Sequence, residues 1–387
     1  MSSLLIHSAT VYDGTIGGVY PDSAVLVEDG KIIDILSTSE WKTKQTPDTR
    51  IVDAQGAPVV PGYLDIHHHG GGGHAYDEAN LDTARVALNA HRQHGTTRSV
   101  LSFVTNSIEH MAGALSTFQQ LLKDDPQVLG FHAEGPFLHP QHKGAHPEKL
   151  LKDPLAEDVE RLLEASDGHL RQITLAPERH GALSAIQRFT SAGTAVAVGH
   201  TNATYEQAQQ AFAVGASLLT HTFNGMNGIH HRAPGPVIAA LEEQSVSLEV
   251  INDGIHVHPS VVHTLFREAP ERIVLVTDAM SAACNPDGLY ILGTLDVKVE
   301  NGVARLVHGD SLAGSTLTMD YAVQHAVRSV GVGLDVAVAS ATSHAAHAIG
   351  LGRSYGRIAP GYSGDILILD EQTLLPNHIY VDGVPQR

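Results

Sequence analysis

The stretch VVPGYLDIHHHGG, residues 59–71, decides the reading of the whole chain. Its first eight residues are an apolar, partly β-branched run with the look of a buried strand. The run then turns into three histidines and a string of glycines. His67 and His69 stand at i and i+2, so on a strand their side chains share one face. Two imidazoles on one face can hold one metal ion between them. His68 points the other way and reads as a packing or loop residue. Asp65 shares the face of the pair, one step deeper, and reads as a supporting carboxylate rather than a ligand.

Seven further runs of the same kind follow: TTRSVLSFVT (96–105), QVLGFHAEG (127–135), QITLAPE (172–178), GTAVAVGH (193–200), ASLLTHTFN (216–224), SLEVINDGI (247–255) and RIVLVTDAM (272–280). Stretches with helical apolar spacing, such as NLDTARVALNAHRQHG, separate them. Eight strands alternating with helices predict an α/β fold, a (β/α)8 TIM-like barrel over residues 59–354. Both ends of the chain read as β. SLLIHSATVY and SAVLVEDGKIIDIL carry DG turns, and GRIAPGYSGDILILD with HIYVDGVPQR mirrors them. Residues 1–58 plus 355–387 are therefore expected to form a small β-sandwich domain from both termini.

Barrel enzymes carry their chemistry at the C-terminal ends of the strands. Here His67 and His69 close the first run, Glu134 the third, His200 the fifth, His221 nearly the sixth, and Asp278 the eighth. Five of eight strands thus end in His, Glu or Asp, a placement that histidine enrichment for packing would not respect. Histidine is abundant here, 26 residues against 24 Lys plus Arg. Two ions are compatible with the set: His67, His69 and Asp278 around one, His200 and His221 around the other, with Glu134 between. Imidazole and carboxylate ligands suit Zn, Fe(II), Mn or Co.

The remaining composition excludes several classes. Forty-two acidic residues against 24 basic give −18, which disfavours nucleic acid and anionic membrane surfaces as partners. A single cysteine, Cys284, rules out an intrachain disulfide and a Cys-based zinc site. It reads as a non-catalytic thiol. No apolar run reaches the 18 or more residues of a membrane span, and the N-terminus lacks a basic region followed by an apolar one. A cytoplasmic enzyme is the expectation.

PGYLDIHHHGG resembles the first-strand motif of the amidohydrolase superfamily. HAEGPFL with KGAH, GHTNATY, THTFNGM with HHRAPG, NDGIHVHP, VTDAM with DGLYILG, and SLAGSTLTMD follow in order between about residues 58 and 370. Together they resemble the N-acetylglucosamine-6-phosphate deacetylase family. The fourth run ends in LAPE, and no lysine lies between Lys152 and Lys298, so a bridging lysine of the dihydroorotase or hydantoinase kind has no counterpart.

The resemblance implies Glu134, His200 and His221 as ligands of one divalent ion, zinc foremost. It implies His67 and His69 as the pair for a second ion. It makes Asp278 the catalytic acid–base. It places Ala145, His146, Asn224, Gly225, Arg232, Asp253, Gly254, Ile255, His256, Leu312, Ala313 and Gly314 against an amino-sugar phosphate. Arg232 would reach into a neighbouring subunit's site, which implies a homodimer. Two departures are visible: Gly225 stands where the family usually has Ala, and Asn227-Gly228 where a Pro pair is common.

The implied chemistry is amide hydrolysis. A bound divalent ion would lower the pKa of a water to about 7 and so supply hydroxide for the acetamide carbonyl. Asp278 moves the proton to the departing amine, and His146 with the metal stabilises the oxyanion. The rival within the scaffold is another N-acetyl sugar, its phosphate, or an N-acyl amino acid. A metal-holding but inactive binding protein is disfavoured because Asp278 and every candidate ligand are present.

Overall fold

The computed structural model describes residues 3–309 and 311–386. The eight predicted barrel strands are all present and pair in parallel in chain order. They are Tyr63–His68, Thr96–Val104, Val128–Glu134, Leu170–Leu175, Ala195–Val198, Leu218–Leu219, Ser247–Ile251 and Ile273–Val276. Strand eight returns to strand one through Asp278 N–H donating to the His67 carbonyl at 2.8 Å, and His69 N–H donating to the Ala279 carbonyl at 2.7 Å. That closes the barrel.

Alternation along the strands separates wall from lumen. Phe103 and Phe131 point outward, and Phe103 stacks on Phe118 of the helix Ile108–Asp124, ring centroids 5.7 Å apart. Each such fully buried aromatic contributes about 1.5–3 kcal/mol relative to exposure. Asp65, Ser102, His132, Gln172, Thr174 and Glu249 in the strands, and Thr220 just past the sixth, are fully buried polar residues. Several satisfy one another: Ser102 Oγ lies 3.0 Å from His132 Nδ1, His132 Nε2 2.9 Å from Thr174 Oγ1, and Thr174 Oγ1 3.0 Å from Thr220 Oγ1. A lumen built on polar ladders fixes side chains by direction as well as by volume.

The run 59–66 divides between two sheets. Pro58–Pro61 pairs in parallel with Ser3–Tyr12 and antiparallel with Ile366–Leu369, so it belongs to the sheet made by the termini. Only from Tyr63 does the chain enter the barrel. Periodicity could not show this, because both neighbours bury the segment completely. Among the described residues the terminal sheet has eight strands in one hydrogen-bonded set, with Pro58–Pro61 stitching its N-terminal strands to its C-terminal ones. Leu4 and Ile6 bury one face and Leu5 the other, each in its own apolar cluster.

The sequence reading missed an excursion after strand eight. Gly288–Leu292, Leu295–Glu300 and Val303–Leu306 form a three-stranded antiparallel sheet. Its apolar face packs on Val104, Ala145, Met280 and Ala313, beside the C-terminal mouth of the barrel. Among the described residues no helix is long and apolar enough to cross a membrane.

Candidate active site

At the C-terminal end of the barrel, a cavity of about 350 Å³ opens among the strand ends. Glu134 is the hub. Its Oε1 lies 3.2 Å from His200 Nε2, 3.2 Å from His221 Nε2 and 3.4 Å from His67 Nε2. Its Oε2 lies 3.2 Å from His69 Nε2 and 3.4 Å from His146 Nε2. Asp278 Oδ1 lies 3.3 Å from His69 Nε2 and 3.6 Å from His67 Nε2. All seven residues are buried.

The backbone at these positions is unusual. His200 has φ +45°, His221 +25° and Asp278 +48°. Each sits just past the last paired residue of its strand, where the chain turns from strand to loop. Left-handed backbone is disfavoured for residues with a Cβ, and its clustering at one cavity is a mark of function.

Hydrogen bonds at the far side of each ring sort the histidines. His200 Nδ1 lies 2.8 Å from the His142 carbonyl, which can only accept, so Nδ1 holds the proton and Nε2 presents a lone pair. His67 Nδ1 lies 3.0 Å from Glu249 Oε2 and is sorted the same way. His146 is the opposite case. Its Nδ1 accepts from Thr105 N–H at 3.3 Å, so its Nε2 carries the proton and donates into the cavity. The Nδ1 atoms of His69 and His221 have no partner among the described residues.

The cluster therefore aims lone pairs at shared points. His67 and His69 bring their Nε2 atoms to 3.3 Å, and His200 and His221 bring theirs to 3.0 Å. Such pairs repel unless a proton or a cation lies between them. Among the described residues, two groups have ligand atoms close enough for one ion: His67, His69 and Glu134, and Glu134, His146 and His200. The tautomer argument removes His146 from the second group and leaves His221 to replace it. Nitrogen and carboxylate donors in this number fit a borderline divalent cation.

Electrostatics follow from the same contacts. Burial alone would raise the Glu134 carboxyl, but His67 and His146 hold it well below the usual carboxylate range. Burial likewise opposes ionisation of Asp278, and the neighbouring His69 and His67 imidazoles bring it below its ordinary value. His146 is pushed down to about 4 by burial, with the nearby His200 adding to the effect, so it stays neutral at pH 7.

The cavity lining also includes Ala145, Asn224, Gly225, His256, Leu312 and Gly314. His256 is held by Asp253: its Nδ1 lies 2.7 Å from Asp253 Oδ2, while Asp253 Oδ1 accepts from Ile255 N–H and His256 N–H, both at 2.8 Å. Gly225 has φ +59°, and a Cβ there would come within 3.0 Å of His200 Nδ1. Ala313 is buried under the cavity wall, and Gly254 and Ile255 face solvent. Arg232 does not line the cavity of its own chain; it is exposed, with Nη1 2.7 Å from His231 Nε2. Asp65 is no ligand: it accepts from Thr277 Oγ1 at 2.5 Å and from His67 N–H at 3.2 Å. His68 turns to the opposite face, beside Tyr76 and His91.

Glu249, Thr105 and His132 were missed from sequence. Glu249 had a legible signal: it stands two residues before Ile251, which lines the cavity, as an acid inside an apolar run. Thr105 had none, because it acts through its backbone.

A (β/α)8 barrel whose strand ends gather imidazoles around one carboxylate defines a class of hydrolases, and the chain belongs to the amidohydrolase family, whose profile matches residues 59–385. Among its relatives, the N-acetylgalactosamine-6-phosphate deacetylase of Escherichia coli O157:H7 is 40% identical over 329 residues, 84% of this chain and 86% of the relative. The N-acetylglucosamine-6-phosphate deacetylase of Lysinibacillus sphaericus is 34% identical over 381 residues, 96% and 95% of the two chains. A solved structure of a mutant N-acetyl-D-glucosamine-6-phosphate deacetylase from Mycobacterium smegmatis, in complex with N-acetyl-D-glucosamine-6-phosphate, superposes with a TM-score of 0.92 at 36% identity. That match covers 100% of this chain and 99% of the other.

Proposed function

We propose that this chain hydrolyses N-acetyl-D-glucosamine 6-phosphate to D-glucosamine 6-phosphate and acetate. The observation that carries the reading is one cavity with three chemistries on its walls. It has a cation-type donor cluster at Glu134, an ionised carboxylate at Asp278, and a neutral N–H donor at His146.

Glu134, His200 and His221 would hold one divalent cation, and His67 and His69 with Glu134 a second, zinc before Fe, Mn or Co. Bound there, a cation polarises the amide carbonyl and lowers the pKa of a water. Asp278 takes a proton from the water that attacks the acetamide carbon. As the C–N bond breaks, it returns that proton to the amine nitrogen. His146 donates its Nε2 proton in a hydrogen bond to the carbonyl oxygen as negative charge grows there. His256, with its ring held by Asp253, receives the 6-phosphate. Arg232 of a second copy completes the phosphate site in a homodimer, since it lies outside the cavity of its own chain. The acidic chain with one cysteine suits the cytoplasm.

One observation favours a second reading, the C4 epimer: the relative at 40% identity is named for N-acetylgalactosamine 6-phosphate. The test is acetate release from both phosphorylated epimers and from unphosphorylated N-acetylglucosamine, with cation-loaded protein. Turnover of N-acetylglucosamine 6-phosphate above the other two is expected. Preference for the galactosamine epimer would move the assignment to it. Equal rates with and without phosphate would overturn the His256 and Arg232 assignments.

A further inference from the structure

Glu249 lies in the seventh barrel strand, Ser247–Ile251, with 0% exposure. Its Oε2 accepts from His67 Nδ1 at 3.0 Å and from the His221 backbone N–H at 3.2 Å. Its Oε1 accepts from Gln172 Nε2 at 2.6 Å. One buried carboxylate thus grips a residue from each half of the donor cluster, His67 by its ring and His221 by its main chain. We propose that Glu249 is a positioning residue for cation binding. It keeps the His67 proton on Nδ1, so that Nε2 faces Glu134 as a lone pair, and it anchors the backbone where His221 turns out of its strand.

The physical argument has three parts. A neutral imidazole has two tautomers, and an acceptor at Nδ1 selects the one that ligates through Nε2. Partners that accept from the far nitrogen of a ligating histidine also fix its ring orientation, and losing one costs about 10- to 100-fold in metal affinity. Finally, a carboxyl group with no exposure is costly to bury, and a leucine would fill the same space. Its presence with three donors arranged around it points to a task in orientation rather than packing.

This inference rests on the reading that the cluster holds a cation, and the experiment separates the two. Wild type, E249L, E249Q and Q172L are equilibrated against Zn²⁺ or Co²⁺. Ions bound per chain are measured by elemental analysis, and the Co²⁺ visible spectrum is recorded. E249L is expected to bind about 10- to 100-fold more weakly, with an altered Co²⁺ spectrum. E249Q is expected to keep most of the affinity. Its carbonyl can accept from His67 and His221, and its amide can meet the Gln172 carbonyl oxygen, which has no partner now. Wild type that binds no ion would overturn the cation reading and this inference together. Wild type that binds ions beside an equally competent E249L would overturn this inference alone. E249Q as weak as E249L would also overturn it, because charge rather than tautomer would then be the agent. If E249L does not fold, Q172L decides: it loosens Glu249 without touching a ligand, and unchanged affinity there would overturn the proposal.

Discussion

The backbone N–H of Asp278 donates to the carbonyl of His67 across 2.8 Å, so the hydrogen bond that closes the barrel also sets the proposed proton carrier beside a proposed ligand. Asp65 reinforces the junction by accepting from both Thr277 and His67. Strand ends one and eight therefore move as a unit, and the carboxylate of Asp278 stays within 3.3–3.6 Å of two imidazoles without needing a long side chain.

Asp278→Asn keeps this backbone, since Asn tolerates left-handed φ. It removes the proton acceptor. Turnover is expected to fall about 10²- to 10⁴-fold with bound cation unchanged. A variant that keeps a tenth of wild-type turnover would end the acid–base assignment.

Arg232 is tested by mixing. Arg232→Ala and Asp278→Asn are each expected to be inactive or nearly so on the phosphorylated sugar. If Arg232 serves the partner's site, hybrid dimers contain one intact site. An equal mixture after subunit exchange then recovers about a quarter of wild-type activity, by random pairing of a symmetric dimer. No recovery in a mixture shown to exchange would place Arg232 in its own chain's site or in none.

Asp253→Asn should change the pH dependence of substrate binding. Burial by itself would lower the His256 pKa, but the bond to Asp253 raises it above the usual 6.5. The ring thus stays cationic above pH 6.5 in the wild type and neutralises earlier in the variant. KM for the phosphorylated sugar is expected to be about tenfold higher at pH 7.5, the worth of one hydrogen bond to a charged group. KM for unphosphorylated N-acetylglucosamine should not move. A uniform rise for both sugars would mean a distorted loop instead.

Arg98, on the second barrel strand, binds the terminal sheet. It donates to Asp365 through Nε at 2.6 Å and Nη2 at 2.9 Å, and to Asp382 at 2.7 Å. Arg98→Met leaves Asp365 charged and buried. The expected loss is about 3–5 kcal/mol of unfolding free energy, read from denaturant curves, with turnover per folded molecule preserved. A loss below about 1 kcal/mol would show the pair to be solvated in practice.

Much of this was legible beforehand, for physical reasons. The eight strands announce themselves because a barrel wall must be apolar and short, and the ligand-type residues sit where each apolar run stops. What escaped lies beyond periodicity. Pro58–Pro61 and Tyr63–His68 are equally buried, so one run concealed two sheets. The sheet at 288–306 is the exception: Leu295–Glu300 alternates strictly and Asn301-Gly302 marks the turn to its partner, so that hairpin was legible in the sequence. Glu249 and His132 sit mid-strand, and a sequence does not show which lumen residues meet across the barrel. The tautomers of His67, His146 and His200 depend on a carboxylate, an amide and a carbonyl brought from distant positions.

The positive φ angles at His200, His221 and Asp278 carry a consequence for variation. At these positions a substitution must satisfy two filters at once, the chemistry and a backbone that only Gly, Asn or Asp adopts readily. A β-branched replacement at any of them would fail even where its function could be rescued from outside, for example by added imidazole filling a vacated histidine. Exhaustive mutagenesis would therefore show these three sites as less permissive than Glu134, which carries as many contacts but sits on an ordinary strand. Tolerance profiles, rather than activity alone, would then separate the residues whose side chains matter from those whose main chains matter as well.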